Sequence, residues 1–164
     1  MTNLNNKIKT LKQLIPIIKK LKSQNKKIAT TNGVFDILHL GHAKYLEQAK
    51  KLGDILIVGV NSDSSVKQNK GDKRPINSEK SRIGVLAALE SVDYVFLFNE
   101  KHPRKWLEIL KPNIHVKAGD YKLSQVIEKN VVEKNNGKVV LIPMLKGYST
   151  TKLIKKILNA YQKQ

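Results

Sequence analysis

The chain has 164 residues, 40% of them apolar and in short runs, which allows one domain with a packed core and no segment long enough to span a membrane. The absence of cysteine excludes disulfides, thiolate metal sites and cysteine nucleophiles, and the first twenty residues lack the apolar run and cleavage site of a secretory leader, so a reducing, cytoplasmic setting is expected. The net charge is +18, but only Arg74, Arg82 and Arg104 of the 31 basic residues are arginine, and the lysines run along the whole chain; this reads as a solvated lysine surface that favours anionic small substrates, not as a nucleic-acid stripe.

Residues 1–25 form an amphipathic helical segment set before a domain of residues 26–164. Ile8, Leu11, Leu14, Ile15, Ile18 and Leu21 recur at spacings of three and four, with lysines between them. Such a stripe packs on the sheet or on a second subunit in preference to a membrane, and Pro16 is expected to kink or split the helix. Residues 27–35 read as a strand. Residues 42–52 read as a helix through Tyr45, Leu46, Ala49 and Leu52, closed by Gly53 as a C-cap. The continuous apolar run 54–61 is a buried parallel strand, and the polar stretch 62–77, with Gly71 and Pro75, predicts a mobile loop beside the site. Then come a helix over 78–92, a strand over 93–99 and a short helix over 102–110 with Pro103 near its start. A strand over 113–120, a helix over 123–137 with a glycine stop, a strand over 138–145 and a helix over 149–162 complete the chain.

Five strands alternating with helices predict an α/β fold, a doubly wound five-stranded parallel sheet in a single domain. Ligands of such sheets bind at the carboxyl ends of the strands, where the strand order reverses. The turns after residues 35, 61, 117 and 145 should therefore surround one crevice.

The chemistry concentrates in TTNGVFDILHLGHAKYL, residues 30–46. A strand ends, His39 and His42 follow at a spacing of three, and Gly41 sits between them at the start of a helix. Free N–H groups and the positive dipole end of that helix suit a phosphate. Gly41 lets a nucleotide approach the backbone, and two imidazoles can donate to phosphoryl oxygens as charge builds on them. Zinc does not fit, for want of a third ligand nearby and of any cysteine; no protein metal site is expected.

GVFDILHLGHAKYL resembles the HxGH signature of the cytidylyltransferase-like nucleotidyltransferase superfamily. TNGVFDILHLGH, GDILIVGVNSDSSV, RPIN followed by Arg82, LAALESVDYV, VKAGDY and GYSTTKLI occur in that order. The set is similar to the adenylyltransferases that make ADP-heptose from D-glycero-β-D-manno-heptose 1-phosphate, over residues 26–158. In the bifunctional form of those enzymes a sugar kinase precedes the transferase. The resemblance here is to the stand-alone form, which implies a separate heptose kinase.

The resemblance implies ATP as co-substrate with Mg²⁺ bridging its polyphosphate, a sugar phosphate as acceptor, no nucleic acid or membrane partner, a homodimer as in many relatives, and a product for lipopolysaccharide assembly. It implies that His39 and His42 stabilise the transferring phosphate and that Asn32, Gly33, Phe35 and Asp36 form the floor beside the nucleotide. Lys44 either contacts the phosphates or is solvated. Gly147, Tyr148, Ser149, Thr150 and Thr151 form the second nucleotide motif, a glycine turn with hydroxyls at a helix start. Lys117, Gly119 and Asp120 end a strand, where a carboxylate binds ribose or holds the loop. Arg82 reads evenly as a surface salt bridge or a functional group on physics alone, and the resemblance favours a phosphate contact. Asn61 and Asp63 would face the sugar phosphate, with Lys70 and Arg74 closing over it. Two departures from the family pattern stand out: Val34 for a usual Cys, and Ala118 for a usual Gly, which restricts that turn. The alternatives are a cytidylyltransferase acting on glycerol 3-phosphate or another polyol phosphate, and a nucleic-acid-binding module on the same fold.

Overall fold

The computed structural model describes residues 4–119 and 122–162. Five parallel strands form one sheet: β1 (Ile28–Gly33), β2 (Ile55–Asn61), β3 (Tyr94–Phe98), β4 (Ile114–Ala118) and β5 (Lys138–Ile142). Their order is β3-β2-β1-β4-β5, so the direction of winding reverses between β1 and β4. Seven α-helices join them: α1 (Leu11–Ser23), α2 (Leu40–Lys50), α3 (Asp63–Lys70), α4 (Glu79–Ala87), α5 (Arg104–Leu110), α6 (Lys129–Glu133) and α7 (Thr150–Tyr161). This is the doubly wound fold that the alternating pattern predicts.

The strands are apolar on both sides because helices cover both faces. On one face Tyr45, Leu46 and Ala49 of α2 pack with Val58, Val60, Leu86 and Val116. On the other, Leu14 and Ile18 of α1 pack with Ile57, Phe96, Trp106, Leu107 and Val132. The N-terminal stripe therefore lies on the sheet, with Ile8 also bridging to Val95 of β3.

Pro16 does not split α1. Thr10 caps the helix in a reciprocal box with Gln13, and Pro16 sits on the solvent side, so the carbonyl it leaves without an amide partner faces water. Gly53 is not a left-handed C-cap either. A side chain there would meet the Lys27 carbonyl at 2.8 Å, so its role is close packing against the start of β1.

The polar stretch after β2 is not a loop throughout. Ser62 accepts from the Ser65 amide, Asp63 occupies the first turn and Val66 is buried, which together form α3. Beyond Gly71 the chain is fixed on Asp36, which accepts from the amides of Ile76 and Asn77 at 2.8 Å. The helix expected over 123–137 is also broken. A 3₁₀ turn at Leu123–Gln125 gives way to extended Val126, whose side chain enters the core, and only Lys129–Glu133 are α-helical. Ala118 causes no strain, because it is an ordinary strand residue opposite Ile142; the unusual backbone belongs to Gly119, at φ 140°.

Candidate active site

A cavity of about 610 Å³ opens at the carboxyl ends of the strands, over the β1–β4 switch point. Asn32 and Gly33 end β1 and Lys117 and Ala118 end β4, and all four line it.

His39 is the N-cap of α2, with an extended backbone. Its Nδ1 accepts from the His42 amide at 3.3 Å, which leaves the proton on Nε2 to serve a ligand. The two imidazoles stack with centroids 3.8 Å apart. Burial, and then the neighbouring His39, lower the pKa of His42 to about 4, against a weaker opposing effect of the Ile37 carbonyl. Burial also lowers His39. Both rings are thus neutral N–H donors at neutral pH. Phe35, with φ 49°, turns the chain out of β1, lays its ring over Gly33 and meets His42 edge-on at 5.3 Å. A Cβ on Gly33 would come within 2.9 Å of that ring.

The second motif approaches from β5. Ser149 caps α7 by accepting from the Lys152 amide at 3.1 Å. A Cβ on Gly41 would lie 3.0 Å from the Cβ of Tyr148, so glycine is what lets the starts of α2 and α7 come together. Tyr148, Ser149, Thr150 and Thr151 line the cavity beside the histidines, with the Tyr148 ring 6.4 Å from that of His39. Two helix N-termini with free amides, three hydroxyls and two imidazole donors converge there, an arrangement suited to a polyphosphate. Gly147, at φ 91°, makes the turn that precedes them and is not itself a lining residue.

Asn61, Lys70 and Arg74 line the cavity. Arg74 is held by Asp36, its Nε 2.5 Å from the carboxylate. Burial alone would raise the Asp36 carboxyl; the Asn77 and Ile76 amides and Arg74 together outweigh it and hold the group below its usual range. Lys117 donates to Glu128 at 2.9 Å and to Asn32 at 3.2 Å.

Besides Gly147, four expected residues do not line the cavity: Lys44, Arg82, Asp63 and Gly119. Lys44 lies two positions beyond His42, roughly 200° around the helix, and pairs with Glu47 on the surface. Arg82 is not on a phosphate: it donates to the carbonyls of Val34, Asn61 and Asn77 and to the Asp63 carboxylate, with its side chain fully buried. Asp63 is occupied by Arg82, and its own amide bonds Glu79. Gly119 donates to the Ile142 carbonyl and is absent from the lining. Asp120 lies outside the described residues.

Sequence reasoning missed Glu128, Asn69, Lys101 and His102, which also line the cavity. Glu128 carried no signal, because in sequence it sits among residues that read as a helix surface. Among the described residues no three His, Asp or Glu side chains converge as a metal site, and no helix is long and apolar enough to cross a membrane.

Comparison with known proteins agrees with this geometry. The Bifunctional protein HldE of Geobacter metallireducens is 50% identical over 94% of this chain, and that of Aliarcobacter butzleri is 46% identical over 95%. The chain spans 32% of the length of each of these relatives. A lipopolysaccharide core biosynthesis protein from Thermoplasma volcanium is 35% identical, with a TM-score of 0.62 over 76% of this chain and 99% of that one. Pantoate-beta-alanine ligase from Francisella tularensis shares the fold at 23% identity and a TM-score of 0.60, covering 96% of this chain and 79% of that one. The model of the cytidylyltransferase-like family matches residues 30–156, a span that includes both histidines and the α7 cap, and the chain belongs to that family of nucleotidyltransferases.

Proposed function

We propose that the chain transfers the adenylyl group of ATP to D-glycero-β-D-manno-heptose 1-phosphate, giving ADP-heptose and pyrophosphate. The observation that carries the reading is the convergence of the α2 and α7 N-termini on the stacked histidines, at the switch point of a parallel sheet. The ordered motifs shared with heptose-phosphate adenylyltransferases, and the similarity to HldE proteins, support the acceptor.

The sugar phosphate oxygen attacks the α-phosphorus in line, a new P–O bond forms, and the bond to the bridging oxygen of pyrophosphate breaks. Side chains of this kind contribute position and charge stabilisation, with no covalent intermediate. His39 and His42 donate to the oxygens of the α-phosphate as their charge grows, while the α7 amides and the Ser149–Thr151 hydroxyls hold the leaving phosphates. Mg²⁺ arrives as part of the MgATP substrate. Among the described residues the two carboxylates of the cavity, Asp36 and Glu128, are engaged by Arg74 and Lys117, which suits a metal carried by phosphate oxygens.

A cytoplasmic setting supplies ATP, and a kinase reaction supplies the heptose 1-phosphate. A homodimer is part of the proposal: Ile157, Leu158 and Tyr161 leave an apolar face of α7 exposed, and the mass in solution tests it. The activity test is pyrophosphate release from ATP or CTP, each with a panel of sugar and polyol phosphates. Release with ATP and heptose 1-phosphate supports the reading; release with CTP and glycerol 3-phosphate alone would replace it.

A further inference from the structure

The cavity is not uniform in charge. Among the described residues two carboxylates line it, and they are placed differently. Both oxygens of Asp36 are taken by Arg74 and by the amides of Ile76 and Asn77. Glu128 is 3% exposed, and only its Oε1 is engaged, by Lys117 at 2.9 Å. Its other oxygen has no hydrogen bond among the described residues.

Strand alternation fixes where this pair sits. Thr30 and His115, two residues before Asn32 and Lys117 on their strands, bond each other, and His115 meets Trp106 on the face covered by α1, α5 and α6. Asn32 and Lys117 therefore point to that same face. The histidines begin α2, which covers the opposite face. The cavity thus has a phosphate rim by α2 and α7 and a second rim where Lys117, Glu128 and Asn32 meet.

The second rim is poorly suited to phosphate. A buried carboxylate repels anions, and Lys117 is already neutralised by it. The second Glu128 oxygen reaches the cavity, and once a substrate displaces its water it requires an O–H or N–H donor, since leaving it unpaired is then costly. Sugar hydroxyls supply such donors without bringing charge. We propose that Glu128, fixed by Lys117, accepts a hydroxyl of the sugar acceptor and makes the site selective for a polyhydroxylated substrate. A site built around a hydroxyl discriminates strongly against the analogue that lacks it, because the buried acceptor is then left unpaired. The inference rests on the proposed transfer to a sugar phosphate.

The test combines Glu128→Gln with a set of monodeoxy sugar 1-phosphates. Glutamine keeps the shape and an oxygen for Lys117 but loses the charge. Its KM for the full acceptor is expected to rise about tenfold or more, the usual effect of losing a hydrogen bond to a charged group, with KM for ATP within about twofold. In the wild type, one deoxy acceptor should show a similar loss, and on that acceptor Glu128→Gln should add nothing. A rise in KM for ATP instead would assign the carboxylate to the nucleotide and overturn the inference. An equal loss on every deoxy acceptor would make Glu128 structural, and a wild type indifferent to each hydroxyl would overturn the proposal even if the variant did not fold. Wild-type transfer with unchanged Glu128→Gln kinetics removes this inference alone, whereas absence of transfer to any sugar phosphate removes the functional reading with it.

Discussion

In the proposed reaction His42 acts as a neutral hydrogen-bond donor and not as a charge, because burial and the stacked His39 hold its pKa at about 4. His42→Ala is expected to lower kcat by about 100-fold or more, the range for removing a transition-state donor, while nucleotide binding measured directly is retained. Near-wild-type turnover would remove His42 from the mechanism. His39, Gly41 and His42 were legible in the sequence because their relation is local, a helix cap and helix start within four residues. The solvent-facing position of Lys44 follows from the phase of the same helix. Glu128 was not legible, since its meaning comes from Lys117, on a different element and eleven residues away.

At the level of elements, Arg82 acts as a clamp. It ties the turn after β1 through Val34, the end of β2 through Asn61, the start of α3 through Asp63 and the lead into α4 through Asn77. These partners come from four segments, so no local pattern could have revealed them, and an arginine in an RPIN…R string reads equally as a phosphate ligand. Arg82→Ala leaves buried carbonyls and a carboxylate unpaired and should cost about 3–5 kcal/mol in denaturant unfolding. KM for ATP should be unchanged in the protein that remains folded. Unaltered stability with a raised KM would return Arg82 to the substrate. The existence of the strands was legible because apolar runs and glycine turns are local signals. The helix over 123–137 was misread because its periodicity allows a helix, while Val126 reaches the core only from an extended backbone.

Across the whole molecule, acid should act through buried histidines. His115 is wholly buried between Thr30 and Trp106, and burial, then the Lys117 charge, lower its pKa from 6.5 to about 3. The unfolded chain takes up a proton below pH 6.5 that the folded chain refuses until about pH 3. Stability therefore falls as pH drops through that window, by up to about 1.4 kcal/mol per pH unit for one such group. His42 adds a loss of the same sign down to about pH 4. His115→Phe, which can keep a ring against Trp106, should show a shallower fall between pH 6 and 4.5 in unfolding measured at each pH; an unchanged slope would contradict this origin. The lysine-rich charge of +18 runs along the chain and is compatible with an anionic substrate entering the cavity at the strand ends.

The central claim is adenylyl transfer to a heptose 1-phosphate, and its most direct test is a competition. The protein is given equal concentrations of ATP and CTP, Mg²⁺ and D-glycero-β-D-manno-heptose 1-phosphate, and the nucleotide sugar formed is identified by mass. The account predicts ADP-heptose with stoichiometric pyrophosphate, and a variant with both histidines replaced that forms almost none. CDP-heptose as the main product, or no nucleotide sugar at all, would contradict it.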